Sequence, residues 1–291
     1  MLHDATERNE EFRRLVEADD ILVVPGCYDP LSAKILEKQG FDAVYMSGAG
    51  VSNTKLGLAD LGLTTYSEMV DRVGYIADAV SVPVFSDADT GFGNPLHVRR
   101  TVKGYERAGA SALHIEDQSF PKKCGHFDDK SVVPVDEMIP KIEAAVDART
   151  DEAFTVVVRT DARAVHGIDE AIDRARAYKD AGADVIFPEA PRDTDEMREY
   201  CEKIPGPTMA NMVEYGKTPL CSAAELEEIG YDLVIFPNSL LRSAMVAMTE
   251  TAEHLHETGE VSDILDRIAS FELRNDLTDY DELMDLEAEY S

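Results

Sequence analysis

Apolar and polar positions along the chain repeat in a unit of helix, glycine and strand. Four segments share this unit: LEKQGFDAVYMSG, YERAGASALHIED, YKDAGADVIFPEA and LEEIGYDLVIFPN. Each predicts a helix end, a short link and an apolar strand that finishes in polar residues. The strands are nearly continuous in apolar character, which is typical of a parallel sheet buried on both faces. A glycine stands in each unit where the carboxyl end of a helix favours a left-handed residue, at Gly40, Gly109, Gly182 and Gly230.

Four further apolar runs complete the predicted set of strands. They are ILVVPG from Ile21, VPVFSDAD from Val82, FTVVVRTDA from Phe154 and PTMANM from Pro207. Amphipathic helices such as SEMVDRVGYIADAV and IDEAIDRARAYKDAG separate most of the strands. Eight strand–helix units over roughly 240 residues predict a single (β/α)₈ TIM barrel. The alternative is an open doubly wound sheet, which the absence of a GxGxxG motif after a strand disfavours.

The chain from about Asn238 is predicted to be largely helical and to extend beyond the barrel. We therefore expect residues 1–291 to form one barrel domain with a carboxyl-terminal helical arm. The arm is either a surface cap or an oligomerisation element.

Polar residues gather where the predicted strands end. Active sites of (β/α)₈ barrels lie at the carboxyl ends of the strands, and residues i and i+2 of a strand point the same way. Four pairs have that spacing: Tyr45 with Ser47, Asp87 with Asp89, His114 with Glu116, and Arg159 with Asp161; Glu189 and Asn211 fall at matching ends. The pattern predicts one functional site at the mouth of the barrel.

Three of these strand-end residues are acids that predict a metal site. Asp87, Asp89 and Glu116 would repel one another strongly in one pocket unless a cation neutralised them. Oxygen ligands suit Mg²⁺, with Mn²⁺ as a substitute. Zn²⁺ is disfavoured because His114 would supply the only nitrogen. The alternative is a solvated acidic rim.

The stretch FPKKCGHFDD concentrates cations around a thiol and is predicted to be a barrel loop. Its proline and glycine argue against a regular helix. Neighbouring cations lower the pKa of a thiol, so Cys124 could donate or accept a proton near neutral pH. The flanking cations, which could also bind substrate carboxylates, are Lys122, Lys123 and His126.

The strongly negative net charge narrows the classes of partner that we expect. The chain has 58 acidic and 28 basic residues and a net charge of −30. This balance argues against nucleic acid and anionic membranes as partners. Acids spread over every predicted helix favour adaptation to a salt-rich cytoplasm, where counterions screen the repulsion. With no signal-peptide pattern and no apolar run long enough for a membrane span, we expect a cytoplasmic protein.

Several motifs in order resemble a known superfamily. They are VYMSGAGV, DADTGFGN, HIEDQ, KKCGH, RTDA, FPEA and ANMVEYGKTPL. In these the chain resembles the isocitrate lyase and phosphoenolpyruvate mutase superfamily, and within it the 2-methylisocitrate lyases most. The resemblance implies a helix-swapped (β/α)₈ barrel. It also implies a homotetramer in which a carboxyl-terminal helix packs on a neighbouring subunit.

The resemblance also implies roles for individual residues. Asp87 and Asp89 would hold Mg²⁺, with Asp60, His114 and Glu116 close by. Substrate contacts would come from Ser47, Gly48, Ala49, Arg159, Glu189, Asn211 and the loop residue Gly125. The catalytic residues would be Lys122, Cys124 and His126 on a gating loop, together with Tyr45. Cys124 would be the acid, and Tyr45 is our choice for the base.

The activity implied is Mg²⁺-dependent cleavage of 2-methylisocitrate to pyruvate and succinate in propionate metabolism. Alternatives within the superfamily are isocitrate lyase, cleavage of oxaloacetate or a substituted malate, and phosphonate mutase or hydrolase chemistry. An alternative of another class is a barrel that binds ligands without catalysis. The cysteine of KKCGH favours lyase over phosphonate chemistry. A chain of 291 residues has no room for the insertions typical of isocitrate lyases.

Overall fold

The computed structural model describes residues 5–123 and 130–291. Eight parallel strands form one sheet, in the order β6-β5-β4-β3-β2-β1-β8-β7. The strands are β1 Leu22–Cys27, β2 Val44–Met46, β3 Val84–Asp87, β4 Ala112–Glu116, β5 Thr155–Thr160, β6 Val185–Pro188, β7 Met209–Asn211 and β8 Leu233–Phe236. All eight coincide with predicted strands.

The sheet closes on itself between β6 and β7. Ile186 of β6 forms a parallel bridge with Thr208, the residue before β7. Because β1 also pairs with β8, every strand has a neighbour on both sides. Closure confirms the predicted (β/α)₈ barrel and excludes the open doubly wound sheet.

Helices follow the strands and form the outer layer. They are α1 Ala5–Val16, α2 Pro30–Lys38, α3 Gly48–Val51, α4 Tyr66–Ala79, α5 Pro95–Arg107, α6 Val135–Val146, α7 Ala162–His166, α8 Ile168–Asp180, α9 Thr194–Lys203 and α10 Ala223–Ile229, with a π-helical turn over Ser52–Leu56. Side chains fix several helix starts. Thr65 and Ser222 each form a capping box with the glutamate three residues later.

The predicted glycine positions end helices as expected. Gly230 follows α10 with φ 113° and donates its N–H to Leu226 and Glu227 carbonyls. Gly40, Gly109 and Gly182 also have positive φ, of 88°, 94° and 106°. A side chain would strain these turns, so the glycines allow each helix to turn directly into the next strand.

An apolar cluster fills the barrel interior. Phe12 of α1 packs on Phe85 of β3 with ring centroids 5.9 Å apart, and both belong to a core with Val157 and Leu233. This core leaves the carboxyl ends of the strands for polar side chains.

Contacts divide the chain into two compact units, the second being Leu240–Ser291. Its elements are α11 Ser239–Thr258, a 3₁₀ helix Ser262–Arg267, α12 Phe271–Leu277 and α13 Tyr280–Glu289. The prediction of a largely helical tail is confirmed. Several large apolar side chains of this unit are exposed, among them Met248, Leu255, Phe271, Leu283 and Tyr290.

Within the described ranges, none of the helices is long and apolar enough to cross a membrane.

Candidate active site

Most of the predicted site residues surround one cavity of about 50 Å³ at the mouth of the barrel. Its lining includes Tyr45, Ser47, Ala49, Asp60, Asp87, Glu116, Lys122, Arg159, Glu189 and Asn211. The prediction that the strand ends converge is therefore confirmed. The predicted residues Cys124, Gly125 and His126 lie outside the described residues.

Gly48 is the first residue of α3 and lies two residues after the end of β2. A side chain at this position would collide with the carboxylate of Asp87. The turn is stabilised by Ser47, whose hydroxyl accepts from Gly50 N at 3.1 Å. Glycine at position 48 thus lets the backbone after β2 approach the acid of β3.

A buried lysine lies among the acids. The Nζ atom of Lys122 is 2.6 Å from Asp60 Oδ1 and 2.7 Å from Asp89 Oδ1. Burial would lower the pKa of Lys122, but Asp89, Asp60 and other carboxylates outweigh it and hold that pKa well above its usual value. The ammonium therefore remains charged and ties the residues before Cys124 to the barrel.

Asp89 does not continue the strand alternation that the sequence suggested. β3 ends at Asp87, and Asp89 follows it with φ 48°. Its backbone N–H donates to Asp87 Oδ1 at 2.9 Å. Asp87 lines the small cavity, whereas Asp89 lines a larger neighbouring one. The two acids are adjacent but do not share a strand face.

Tyr45 and His114 form a neutral pair beside Asp87. The Tyr45 hydroxyl lies 2.8 Å from His114 Nε2. Burial lowers the pKa of His114 to about 4 despite the nearby Asp87 carboxylate, so the imidazole is neutral at pH 7. Burial, together with Asp87, raises the pKa of Tyr45 well above its usual value. Tyr45 could act as the predicted base only if a bound cation lowered that pKa.

Arg159 is a second buried cation of the site. Its Nε atom is 3.3 Å from Glu116 Oε2, and its Nη1 atom is 3.5 Å from Glu189 Oε2. Asn211 Nδ2 donates to Glu189 Oε2 at 3.1 Å. Glu189 thus orients both a guanidinium and an amide, the two groups that hydrogen-bond carboxylates well.

A carboxylate behind the site holds Arg159 in place. Asp161 Oδ2 accepts from Arg159 Nε at 2.8 Å, and Asp161 Oδ1 accepts from Lys130 Nζ at 2.6 Å. Asp117 Oδ1 accepts from the Asp161 backbone at 2.9 Å. Sequence reasoning paired Arg159 with Asp161 but missed Lys130 and Asp117, which no strand spacing links to them.

Asn238 is a further site residue that the sequence analysis missed. It lines the cavity, and its Oδ1 atom accepts from the Ser47 hydroxyl at 3.1 Å. It follows β8 in VIFPN just as Glu189 follows β6 in VIFPE. That parallel between the two strand ends was the available indication.

The carboxylate oxygens of the site are ligands that a hard divalent cation prefers, but the described side chains do not surround a position for a metal ion. Within residues 5–123 and 130–291, no three acidic, histidine or cysteine side chains lie close enough together to hold a metal ion. Lys122 and Arg159 instead pair with these acids. Burial raises the pKa of Asp89 to about 6 and that of Glu116 well above its usual value. The buried Glu116 Oε1 atom has no hydrogen-bond partner. A cation would satisfy both groups.

Relatives with similar sequences extend over nearly the whole chain. The family model described as phosphoenolpyruvate phosphomutase matches residues 12–256. The 2,3-dimethylmalate lyase of Eubacterium barkeri is 45% identical, with 97% of each chain covered. The 2-methylisocitrate lyase of Aeropyrum pernix is 44% identical, with 96% of this chain and 90% of the relative covered.

Solved structures agree with these sequence matches. Oxaloacetate acetylhydrolase in complex with 3,3-difluorooxalacetate superposes with a TM-score of 0.93 at 35% identity, covering 98% of this chain and 97% of that one. Phosphonopyruvate hydrolase in complex with oxalate and Mg²⁺ superposes with a TM-score of 0.88 at 30% identity, covering 97% and 99%. The barrel, the convergent strand ends and these matches show that the chain belongs to the phosphoenolpyruvate mutase and isocitrate lyase superfamily.

Proposed function

We propose that the chain is a Mg²⁺-dependent carbon–carbon lyase that cleaves 2-methylisocitrate to pyruvate and succinate. The observation that carries the proposal is the composition of the small cavity. A buried guanidinium, Arg159, and an amide, Asn211, lie beside the carboxylates of Asp87 and Glu116. Such a mixture suits a substrate with several carboxylates and a metal-binding hydroxyl.

Mg²⁺ at Asp87, with Asp60, Asp89, Glu116 and His114 around it, would supply Lewis-acid stabilisation of negative charge on the 2-hydroxy acid part. The relative that contains Mg²⁺ together with oxalate supports this assignment, because oxalate resembles a 2-oxo acid in its oxygen positions. The ammonium group of Lys122 already contacts Asp60 and Asp89. Metal binding therefore requires Lys122 to move away, or these carboxylates to bind the ammonium and the metal together.

The proton transfers and the binding of substrate oxygens are carried out by side chains of the protein. Loss of the substrate hydroxyl proton to a base forms the carbonyl of pyruvate and breaks the C2–C3 bond. The bond's electrons pass to C3 as the enediolate of succinate. Cys124 then gives its thiol proton to C3, and the thiolate is reprotonated from solvent. Arg159 and Asn211 hold substrate oxygens, and the Tyr45 hydroxyl hydrogen-bonds the departing oxo acid.

A second candidate substrate is 2,3-dimethylmalate. A relative that carries this substrate's name is 45% identical over 97% of both chains, slightly more than the 44% identity over 96% and 90% of the match to 2-methylisocitrate lyase. The two substrates differ in one carboxylate. Lys122, Lys123 and Arg159 line the cavity beside four carboxylates. With Mg²⁺ bound, the positive charges would outnumber these carboxylates, which favours the substrate with three carboxylates.

The proposal is tested by a cleavage assay on a panel of 2-hydroxy and 2-oxo acids. The panel contains 2-methylisocitrate, isocitrate, 2,3-dimethylmalate, oxaloacetate and phosphonopyruvate, each with Mg²⁺ and with EDTA. We expect kcat/KM to be highest for 2-methylisocitrate, EDTA to abolish turnover, and Mg²⁺ or Mn²⁺ to restore it. Some activity on isocitrate is expected too, because one methyl group discriminates by only about 1–3 kcal/mol.

Each contrary result has a distinct meaning. A higher kcat/KM for 2,3-dimethylmalate or oxaloacetate would reject the substrate and leave the lyase chemistry intact. Cleavage of phosphonopyruvate alone would reject carbon–carbon cleavage. Full turnover in EDTA would reject the metal.

A further inference from the structure

A second cavity, of about 660 Å³, lies next to the catalytic one. It is bounded by the amino-terminal parts of α4, α5 and α6 and by segments that follow β3 and β4. The two cavities share Lys122 in their linings. The larger one has the volume of a typical small-molecule site. Two residues of the proposed catalytic site, Asp89 and Lys122, also line it.

A lysine whose side chain is mostly buried lines this cavity. Lys141 of α6 is 6% exposed and lines the cavity. In the part of the chain that the structure describes, it has no hydrogen bond or ion pair. Glu137, one helical turn earlier, attracts the ammonium but forms no ion pair with it. Burial outweighs this attraction and lowers the pKa of Lys141, so an anion in direct contact would stabilise the charged form.

The rest of the lining is suited to an apolar body. Leu63, Phe92 and Phe120 contribute hydrophobic surface, and Tyr66 packs edge-on against Phe92 with centroids 6.0 Å apart. Arg100 is stacked over the Tyr66 ring at 4.5 Å. The cavity therefore combines aromatic walls with the ammonium of Lys141, which forms no ion pair with a described residue.

The charges of the lining restrict the charge of a ligand. Arg100, Lys122 and Lys141 line the cavity with the two acids Asp89 and Glu137, so one negative charge on a ligand balances the lining. We propose that this cavity binds a small monocarboxylate with an aromatic or branched apolar body, its carboxylate paired with Lys141. The site is separate from the proposed catalytic function and does not depend on it.

The test is a titration of the full chain with phenylacetate, in which ligand-observed NMR measures binding. The same titration with 2-phenylethanol, which has the ring but no charge, measures the contribution of the carboxylate. Both are repeated with Mg²⁺ and excess oxalate, which compete at the catalytic cavity. Lys141→Met removes the ammonium and keeps most of the side-chain volume. Lys141→Arg keeps the charge, and Lys103→Met removes an exposed charge that does not line the cavity.

We expect wild type, Lys141→Arg and Lys103→Met to bind phenylacetate alike, with or without oxalate. Binding to Lys141→Met, and binding of 2-phenylethanol to wild type, should each be at least tenfold weaker. Lys141→Met should fold, because it removes a charge that burial disfavours, and its melting temperature checks this. The proposal is overturned if wild type shows no millimolar binding, if Lys141→Met binds as wild type does, or if oxalate displaces phenylacetate.

Discussion

Asp161 is fully buried between two cations, Arg159 and Lys130. Burial alone would raise its pKa, but the two cations outweigh burial and hold that pKa well below its usual value. Strand spacing predicted that Arg159 and Asp161 point the same way, because they lie two residues apart where β5 ends. Lys130 comes from the segment before α6, and no local pattern in the sequence could pair it with Asp161.

We expect Asp161→Asn to destabilise the protein at pH 7 by about 3 kcal/mol, because two buried cations lose their counter-charge. A carboxyl group whose pKa is lower in the folded state stabilises above its unfolded pKa of about 3.9 and loses that contribution as the pH falls. The stability difference between wild type and variant should therefore be constant from pH 7 to about 5 and shrink below about 4. Urea unfolding across this range measures it.

Asp173→Asn is the matched control, since Asp173 is an exposed acid on α8 with a long, exposed contact to Arg176. It should change stability by less than about 1 kcal/mol. A pH-independent difference for Asp161→Asn would contradict the electrostatic explanation.

Cys124 is the residue on which the proposed proton transfer depends. A serine hydroxyl is far less acidic than a thiol that Lys122, Lys123 and His126 flank in the sequence, so Cys124→Ser should lower kcat by at least about 100-fold. The variant should keep the wild-type melting temperature. Cys221→Ser serves as control, because Cys221 lies outside the cavity and should tolerate the change. Near wild-type turnover by Cys124→Ser would remove Cys124 from the mechanism.

At the scale of helices and strands, the sequence predicted the structure correctly where a buried face or a hydrophobic period determines the residue types. Apolar runs located all eight strands, since a parallel sheet buried on both faces needs them. They could not locate site residues far from a strand end. Asp60 lies beyond the π-helical turn, and only the resemblance pointed to it. Asp89 was assigned a strand orientation that its positive φ does not allow.

The carboxyl-terminal helical unit has a surface that suits association, and we propose that it packs on a second copy in a helix-swapped homotetramer. Phe271 is 74% exposed and Leu283 is 55% exposed. Light scattering after gel filtration should give a mass four times the 32.1 kDa of one chain. Phe271→Glu combined with Leu283→Glu should reduce it, because charges at an apolar interface are costly.

Leu96→Glu is the control for added surface charge, since Leu96 on α5 is 75% exposed and lies outside the helical unit. It should leave the mass unchanged. A monomeric wild-type chain, or a double variant that keeps the tetramer mass, would contradict this role of the unit.

At the scale of the whole molecule, closure of the barrel depends on a contact between distant segments, whereas the net charge depends on composition. Eight predicted strands sufficed for the fold class, but the closing contact between Ile186 and Thr208 joins segments that share no sequence pattern. Net charge, in contrast, follows from composition alone. It describes how the folded chain responds to its solvent, and it identifies no particular contact.

A net charge of −30 should make stability depend strongly on salt. The screening length falls from about 30 Å at 0.01 M salt to about 3 Å at 1 M, so repulsion between distant acids fades over that range. We expect the melting temperature to rise with KCl, and most of the rise to occur below about 0.5 M, where screening changes fastest. Exclusion of salt from the protein surface would instead give a rise that continues in proportion to concentration. Calorimetry from 0.01 to 2 M KCl, with a neutral osmolyte of equal osmolality as control, separates the two. A flat profile would show that the acidity is not an adaptation to salt.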